Sequence, residues 1–476
     1  MRQIHSISFW LEEDVVRRLM PFLTCLIAAP MALLISDGAW EILVLPFVIV
    51  GVVVICYSPL YAILIWILVF PYFVRQPLFA GAIFFWGLHR MMIMGALGVA
   101  VLQMVARGRP KPRWYPGELV MLMFLGLVAA GILVRGDSPV ELLRHFFDRL
   151  VVPFAIYFLV RILAPEERGL RKFMPVAVVT IAIQAGIGLI SWFMPSLLPA
   201  VWAGEEGERV VGSFANAATY TSTLIFLAFF LLNYATTRRR GLLETAYLLT
   251  VGLAFLCVFL SFSRGSWLGG LLVLLGLCFL YPRLVITSTL VMTLFGGILG
   301  GILFSRELDW ASQRLHHDSS AENRIVGAMA SVRMIEAKPW FGWGYGTYDR
   351  HAVDFKVPVG NIPVRSESTS HNTYLTVLAE NGIFAFVLYL APVVWLFVRS
   401  LRVWKSLPRE GFLNRRWLAL LWLCVLDQFA VSSFMDMIRF NLFGTNIFWM
   451  ALGLIACVVY PPRDRGSREC TDNSEE

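Results

Sequence analysis

Apolar runs of about 17 to 25 residues recur along most of this chain, and a run of that length crosses a hydrocarbon layer as a helix. Barrel strands would be shorter segments of alternating polarity. Of the 476 residues 58% are hydrophobic and only 15% charged, more apolar surface than one soluble core could hide. The expected fold is an all-α polytopic membrane protein of about 12 to 14 transmembrane helices, with one large extracytoplasmic loop containing short helices.

The runs fall at about residues 20–36, 39–57, 59–74, 80–106, 117–134, 150–163, 173–194, 217–234, 242–262, 265–281, 284–304, 371–398, 417–434 and 441–460. Glu12, Glu13 and Asp14 precede the first, and residues 8–20 read as a short interfacial helix rather than a removable signal peptide. The seven cysteines lie in or beside apolar runs or in the tail with no C-x-x-C pair, which fits small core residues better than a disulfide framework or zinc site.

Net charge is +8, unevenly spread. Arg107, Arg109, Lys111 and Arg113 mark one connection, Arg238 to Arg240 a second, and Arg399, Arg402, Lys405, Arg409, Arg415 and Arg416 a third. Positive residues resist transfer outward, so all three lie inside if both termini are cytoplasmic. The 305–370 loop, with eight Lys or Arg against eight Asp or Glu, then lies outside with the 195–216 connection and the turn from Ser261 to Gly265. The chain divides into N-terminal spans at 1–204, a central region at 205–400 that includes the loop, a C-terminal hairpin at 401–462 and a cytoplasmic tail at 463–476.

Within the loop, Ser319 and Glu322 have the spacing of a capping box. Ile325, Met329, Val332 and Ile335 then make an apolar stripe suited to the bilayer surface or to other spans, and Pro339 ends the helix. The aromatic and glycine tract Phe341 to Gly346 suits a bent backbone at a half-wet interface.

Candidate chemistry clusters at span ends. His371 opens a span, where free amides favour an anion, and Gly382, eleven positions on, returns to nearly the same face, letting a helix or lipid tail come close. Glu380 points the other way and reads as a buried partner for an arginine on another span. Arg264 starts a span with Leu268 one turn below; taken alone, such an arginine also fits snorkelling to headgroups. Arg324, in the first turn of the capped loop helix, is electrostatically misplaced unless an anion arrives. Arg209 has Glu206 and Glu208 beside it for local pairing. Neither His316, His317 and Asp318 nor the pair Glu206 and Glu208 makes a convincing metal site, and Asp427 and the pair Asp436 and Arg439 read as structural.

Arg264-Gly-Ser-Trp-Leu268 and His371 with Gly382 resemble the R-x3-L and H-x10-G patterns of the O-antigen ligase and polymerase family of bacterial membrane glycosyltransferases. The resemblance extends through Gly212 to Asn216, Arg324 and the tract from Lys338 to Gly346, about residues 205–400; Ala215 and Ala217 depart from relatives with a proline after the asparagine. It implies a GT-C-like fold in the bacterial inner membrane with the active site on the periplasmic side. It also implies an undecaprenyl-diphosphate-linked glycan donor and a lipid-linked saccharide acceptor, with membrane lipids as surroundings and no nucleic acid, cofactor or metal. By the same likeness Arg264 and Arg324 bind the diphosphate with Arg209 as a third, His371 is the base, and Leu268, Asn372 and Gly382 support them. Guanidinium forks match phosphate oxygens, and imidazole exchanges protons near neutral pH. Inversion at the anomeric carbon would follow from attack opposite the diphosphate. The histidine pattern tilts the reading toward a ligase with a lipid A core acceptor. A polymerase of O-antigen or exopolysaccharide and protein O-glycosylation remain open, as does, from another class, a transporter of lipid-linked or small solutes.

Overall fold

The structure, a computed structural model, describes residues 51–72, 86–106, 112–135, 138–199, 202, 209–214, 216–237, 241–290, 319–360, 362–364 and 370–462. The interfacial helix, the first apolar run, the connections at 107–111 and 238–240, Glu206, Glu208 and His316 to Asp318 fall outside these residues.

The helices are Pro59–Val69 (α1), Met92–Ala106 (α2), Pro116–Arg135 (α3), Pro139–Phe146 (α4), Val152–Leu163 (α5), Phe173–Phe193 (α6), Ala217–Thr237 (α7), Leu242–Leu260 (α8) and Arg264–Leu280 (α9). They continue with Ser319–Ala337 (α10), Tyr348–Phe355 (α11), Thr373–Val403 (α12), Arg415–Ser432 (α13), Met437–Phe440 (α14) and Leu442–Val459 (α15). Seven helices among the described residues are long and apolar enough to cross a membrane. The chain is an all-α polytopic membrane protein. α9 and the following helix, Pro282–Leu290, are bent by 119° at their junction, because Pro282 has no N–H to continue the ladder.

α7 is the wholly buried centre, packed against α6, α8, α9, α13 and α15. Two buried ion pairs tie the helices around it. Arg161 of α5 meets Glu118 of α3 at 2.8 Å and donates to the carbonyls of Arg113 (2.9 Å), Ala456 (3.3 Å) and Tyr460 (3.2 Å). Toward the other end of α5, Arg90 pairs with Asp148, and His89 Nε2 donates to the Asp148 carbonyl at 3.1 Å. A lone charge in either place would cost several kcal/mol, so each member requires its partner.

The loop helix α10 starts at Ser319, which puts Arg324 in its second turn rather than its first. The expected stripe is also displaced. Val326, Ala330 and Met334 are the buried apolar side chains, Met334 packing with Tyr348, Ala352 and Ala379, whereas Ile325 and Met329 are 44% and 38% exposed. The helix carries apolar residues on adjacent faces, and the smaller side chains permit the closer approach to α12.

Candidate functional site

Three arginines far apart in sequence line one cavity. Arg209 precedes α7, Arg264 opens α9 and Arg324 lies on α10; Asn216, Phe262 and Phe434 are among the other walls. The enclosed space is about 60 Å³, opening into a wider mouth, and no carboxylate is among the described lining residues. Burial, then Arg209 and Arg264, push the pKa of Arg324 down, so three like charges act on one another in a half-buried place. An arriving anion relieves that repulsion.

Each arginine is delivered by a specific local structure. Before Arg264 the chain turns through Phe262, buried at φ +47, and α9 then packs so closely that a Cβ on Gly265 would stand 3.2 Å from that of Phe434. One turn in, Thr221 Oγ1 donates to Ser266 Oγ at 2.9 Å, fixing α9 on α7. The segment after Arg209 is held by Gln184, which accepts from Ser213 N at 2.9 Å and donates to Ser213 Oγ at 2.7 Å. Asn216 caps α7 by accepting from Ala218 N at 2.7 Å, which gives that asparagine a role without a following proline. Leu268 is 38% exposed and is not among the residues lining the cavity.

His371 sits at φ +44, an uncommon left-handed conformation for a side chain that is not glycine. Its neighbours hold it there. Asn372 Oδ1 accepts from the amides of Tyr374 (2.9 Å) and Leu375 (3.0 Å), and Asn372 Nδ2 donates to the Ser433 carbonyl at 3.1 Å. Thr373 Oγ1 donates to the Met435 carbonyl at 3.1 Å and accepts from Met437 N at 2.9 Å. The cap takes two of the amides that the sequence left for an anion. His371 Nδ1 is buried without a hydrogen-bond partner among the described residues. Burial, then Arg324 and Arg439, lower the imidazole pKa below its ordinary value.

Gly382 has a role different from the expected one. Its φ of +76 and ψ of −179 break α12, which also ends the face arithmetic linking it to His371. What comes close is the loop's own backbone, since a Cβ at Gly382 would collide with the carbonyl of Trp340 and the amide of Phe341. The loop tract is stitched into this break: Ile383 N donates to Pro339 O (2.8 Å), Trp343 N to Ala379 O (3.0 Å) and Gly344 N to Glu380 O (2.7 Å). Glu380 Oε1 accepts from Tyr348 N at 3.0 Å, so much of this buried carboxylate's satisfaction comes from loop amides.

Sequence reasoning gave Arg439 only its neighbour Asp436. The guanidinium is an ion-pair partner of Asp349 on α11, lies 3.9 Å from Asp436 Oδ2, stacks 5.2 Å from the Tyr348 ring centre and acts on both Glu380 and His371. The i, i+3 spacing of Asp436 and Arg439 signalled a local pair, but nothing in the spacing pointed to residue 349.

The described elements define a multi-pass helical membrane protein with a cationic cavity where its connections meet. Residues 249–390, from α8 into α12, match the family described as O-antigen ligase. Arg264, Leu268, Arg324, His371 and Gly382 fall within that stretch, and Arg209 before it. No curated protein matches the chain.

Proposed function

We propose that this protein transfers a glycan from undecaprenyl diphosphate to a sugar hydroxyl of a lipid-linked acceptor, on the periplasmic face of a bacterial inner membrane. The observation that carries the reading is the convergence of Arg209, Arg264 and Arg324 on one small cavity, with His371 within the field of Arg324. The guanidiniums bind the diphosphate and stabilise the charge it gains as its bond to the anomeric carbon breaks. His371 takes the proton of the attacking hydroxyl, whose oxygen forms the new glycosidic bond with inversion. The lipid diphosphate leaves, and no covalent intermediate or metal is assigned a step.

Incubating the purified protein with an undecaprenyl diphosphate oligosaccharide, with and without a lipid A core acceptor, tests the reading. A single shifted band that requires the core is expected for a ligase, and a ladder without the core would make the protein a polymerase. The absence of any new glycosidic bond in both, with solute movement in proteoliposomes, would replace the enzyme with a transporter.

Arg264→Lys and Arg324→Lys should each lower kcat/KM at least about tenfold, because a point charge does not reproduce a bidentate fork. Unchanged kinetics in both would assign these residues to headgroup snorkelling.

A further inference from the structure

On the loop-bearing side of the bundle a second, larger hollow shares no lining residue with the arginine cavity. Met91 and Met94 form one wall, and Val140, Leu143 and Phe147 of α4 and its continuation the other. It holds about 1000 Å³, at the top of the range of roughly 300–1,000 Å³ for small-molecule sites. Met91 and Val140 are 68% and 81% exposed, and farther along α2 Leu102 and Val105 continue an exposed apolar strip at helical spacing. The groove therefore opens onto a surface that faces lipid chains in a membrane.

Its charged rim is Arg144, Glu141 and Arg90, the last paired with Asp148. Arg144 is exposed there, and burial followed by Arg149 and Arg144 holds the His145 imidazole below its ordinary range. Glu141 is the acid lining this rim, 3.7 Å from His145 Nε2. We infer that the groove binds a phosphate-bearing lipid of the surrounding leaflet, its chain between α2 and α4 and its headgroup at Arg144. The size and lipid-level opening suit the chain, and the exposed guanidinium of Arg144, the lining arginine not paired with Asp148, suits the phosphate. The other face of α4 touches the loop tract. Tyr345 Oη donates to the His145 carbonyl at 3.4 Å, and a Cβ on Gly346 would stand 2.7 Å from Leu142 Cδ2. The bound lipid is thus one helix away from the segment stitched into α12.

The test uses the full-length protein in phosphatidylcholine nanodiscs doped with phosphatidylglycerol bearing a photoactivatable chain. Labelling is expected to concentrate on residues 91–94 and 140–147. Arg144→Gln should reduce it about fivefold, the value of one cation near a membrane surface. Even labelling over other exposed apolar positions such as Leu271 and Phe279, or equal labelling of Arg144→Gln, would overturn the inference. Photoreactive groups placed at Val140 that cross-link only to the chain itself would overturn it too. Binding of undecaprenyl diphosphate is measured in parallel and should be unchanged in Arg144→Gln, so the groove and the donor cavity stand or fall separately.

Discussion

Replacing His371 by alanine is expected to lower glycan transfer by about 10²- to 10⁴-fold, the usual contribution of a positioned general base, while the lipid diphosphate still binds. The backbone around His371 is held through Ser370, Asn372 and Thr373, none of whose bonds use the imidazole, so the substitution leaves the scaffold in place. Its pH dependence has a definite sign. The base must be neutral to accept a proton, and burial, Arg324 and Arg439 push its pKa below the ordinary value of 6.5. The acid limb of kcat/KM, which reports the free enzyme, should therefore lie below pH 6.5 and move upward in Arg324→Gln, where one repelling cation is gone. A bound diphosphate offsets the same cations, so the limb of kcat should lie higher than that of kcat/KM. Wild-type transfer by purified His371→Ala would remove the residue from the mechanism; an acid limb above pH 6.5 in kcat/KM would contradict the electrostatic account.

Gly382→Ala should be nearly as damaging, for a reason of backbone geometry. The pair φ +76, ψ −179 lies where essentially only glycine goes, costing about 1–3 kcal/mol for another residue, and the new methyl would also overlap the loop backbone at Trp340 and Phe341. Relief of both requires the loop tract to leave the break in α12, with loss of the bonds from Ile383, Trp343 and Gly344. The expected result is fast hydrogen exchange over residues 339–346, a protein that still inserts in the membrane, and transfer reduced to about a hundredth, since the displaced tract also carries the partners of Glu380. Unaltered exchange and activity in Gly382→Ala would mean that the loop docks by other contacts.

The span boundaries were legible because lipid imposes a length and a polarity on each segment independently of its neighbours. Runs predicted at 173–194, 242–262 and 441–460 match α6, α8 and α15 to within two residues. Arg264 stood out as a cation opening a span and Arg324 as one near a helix start, but it was the resemblance to the O-antigen ligase family that joined them with Arg209. Contacts between distant connections were not legible. Nothing in the order of residues says that the amide of Tyr348 will meet Glu380, or that Asp349 will meet Arg439. The buried face of α10 was missed by one residue, since period alone does not choose between Ile325 with Met329 and Val326 with Ala330 when both pairs are apolar. At Gly382 the glycine was read as room for a neighbour, but which neighbour fills that room is a tertiary fact.

The stitching of the tract 339–344 into the interrupted helix α12 has a bearing on assembly. The ribosome delivers α10 and this tract before the segment that receives them, so they must wait without that partner until residues 379–383 are in place. Swapping the loop alone between relatives would leave a notch without its filling, and a functional chimera must exchange both stretches together.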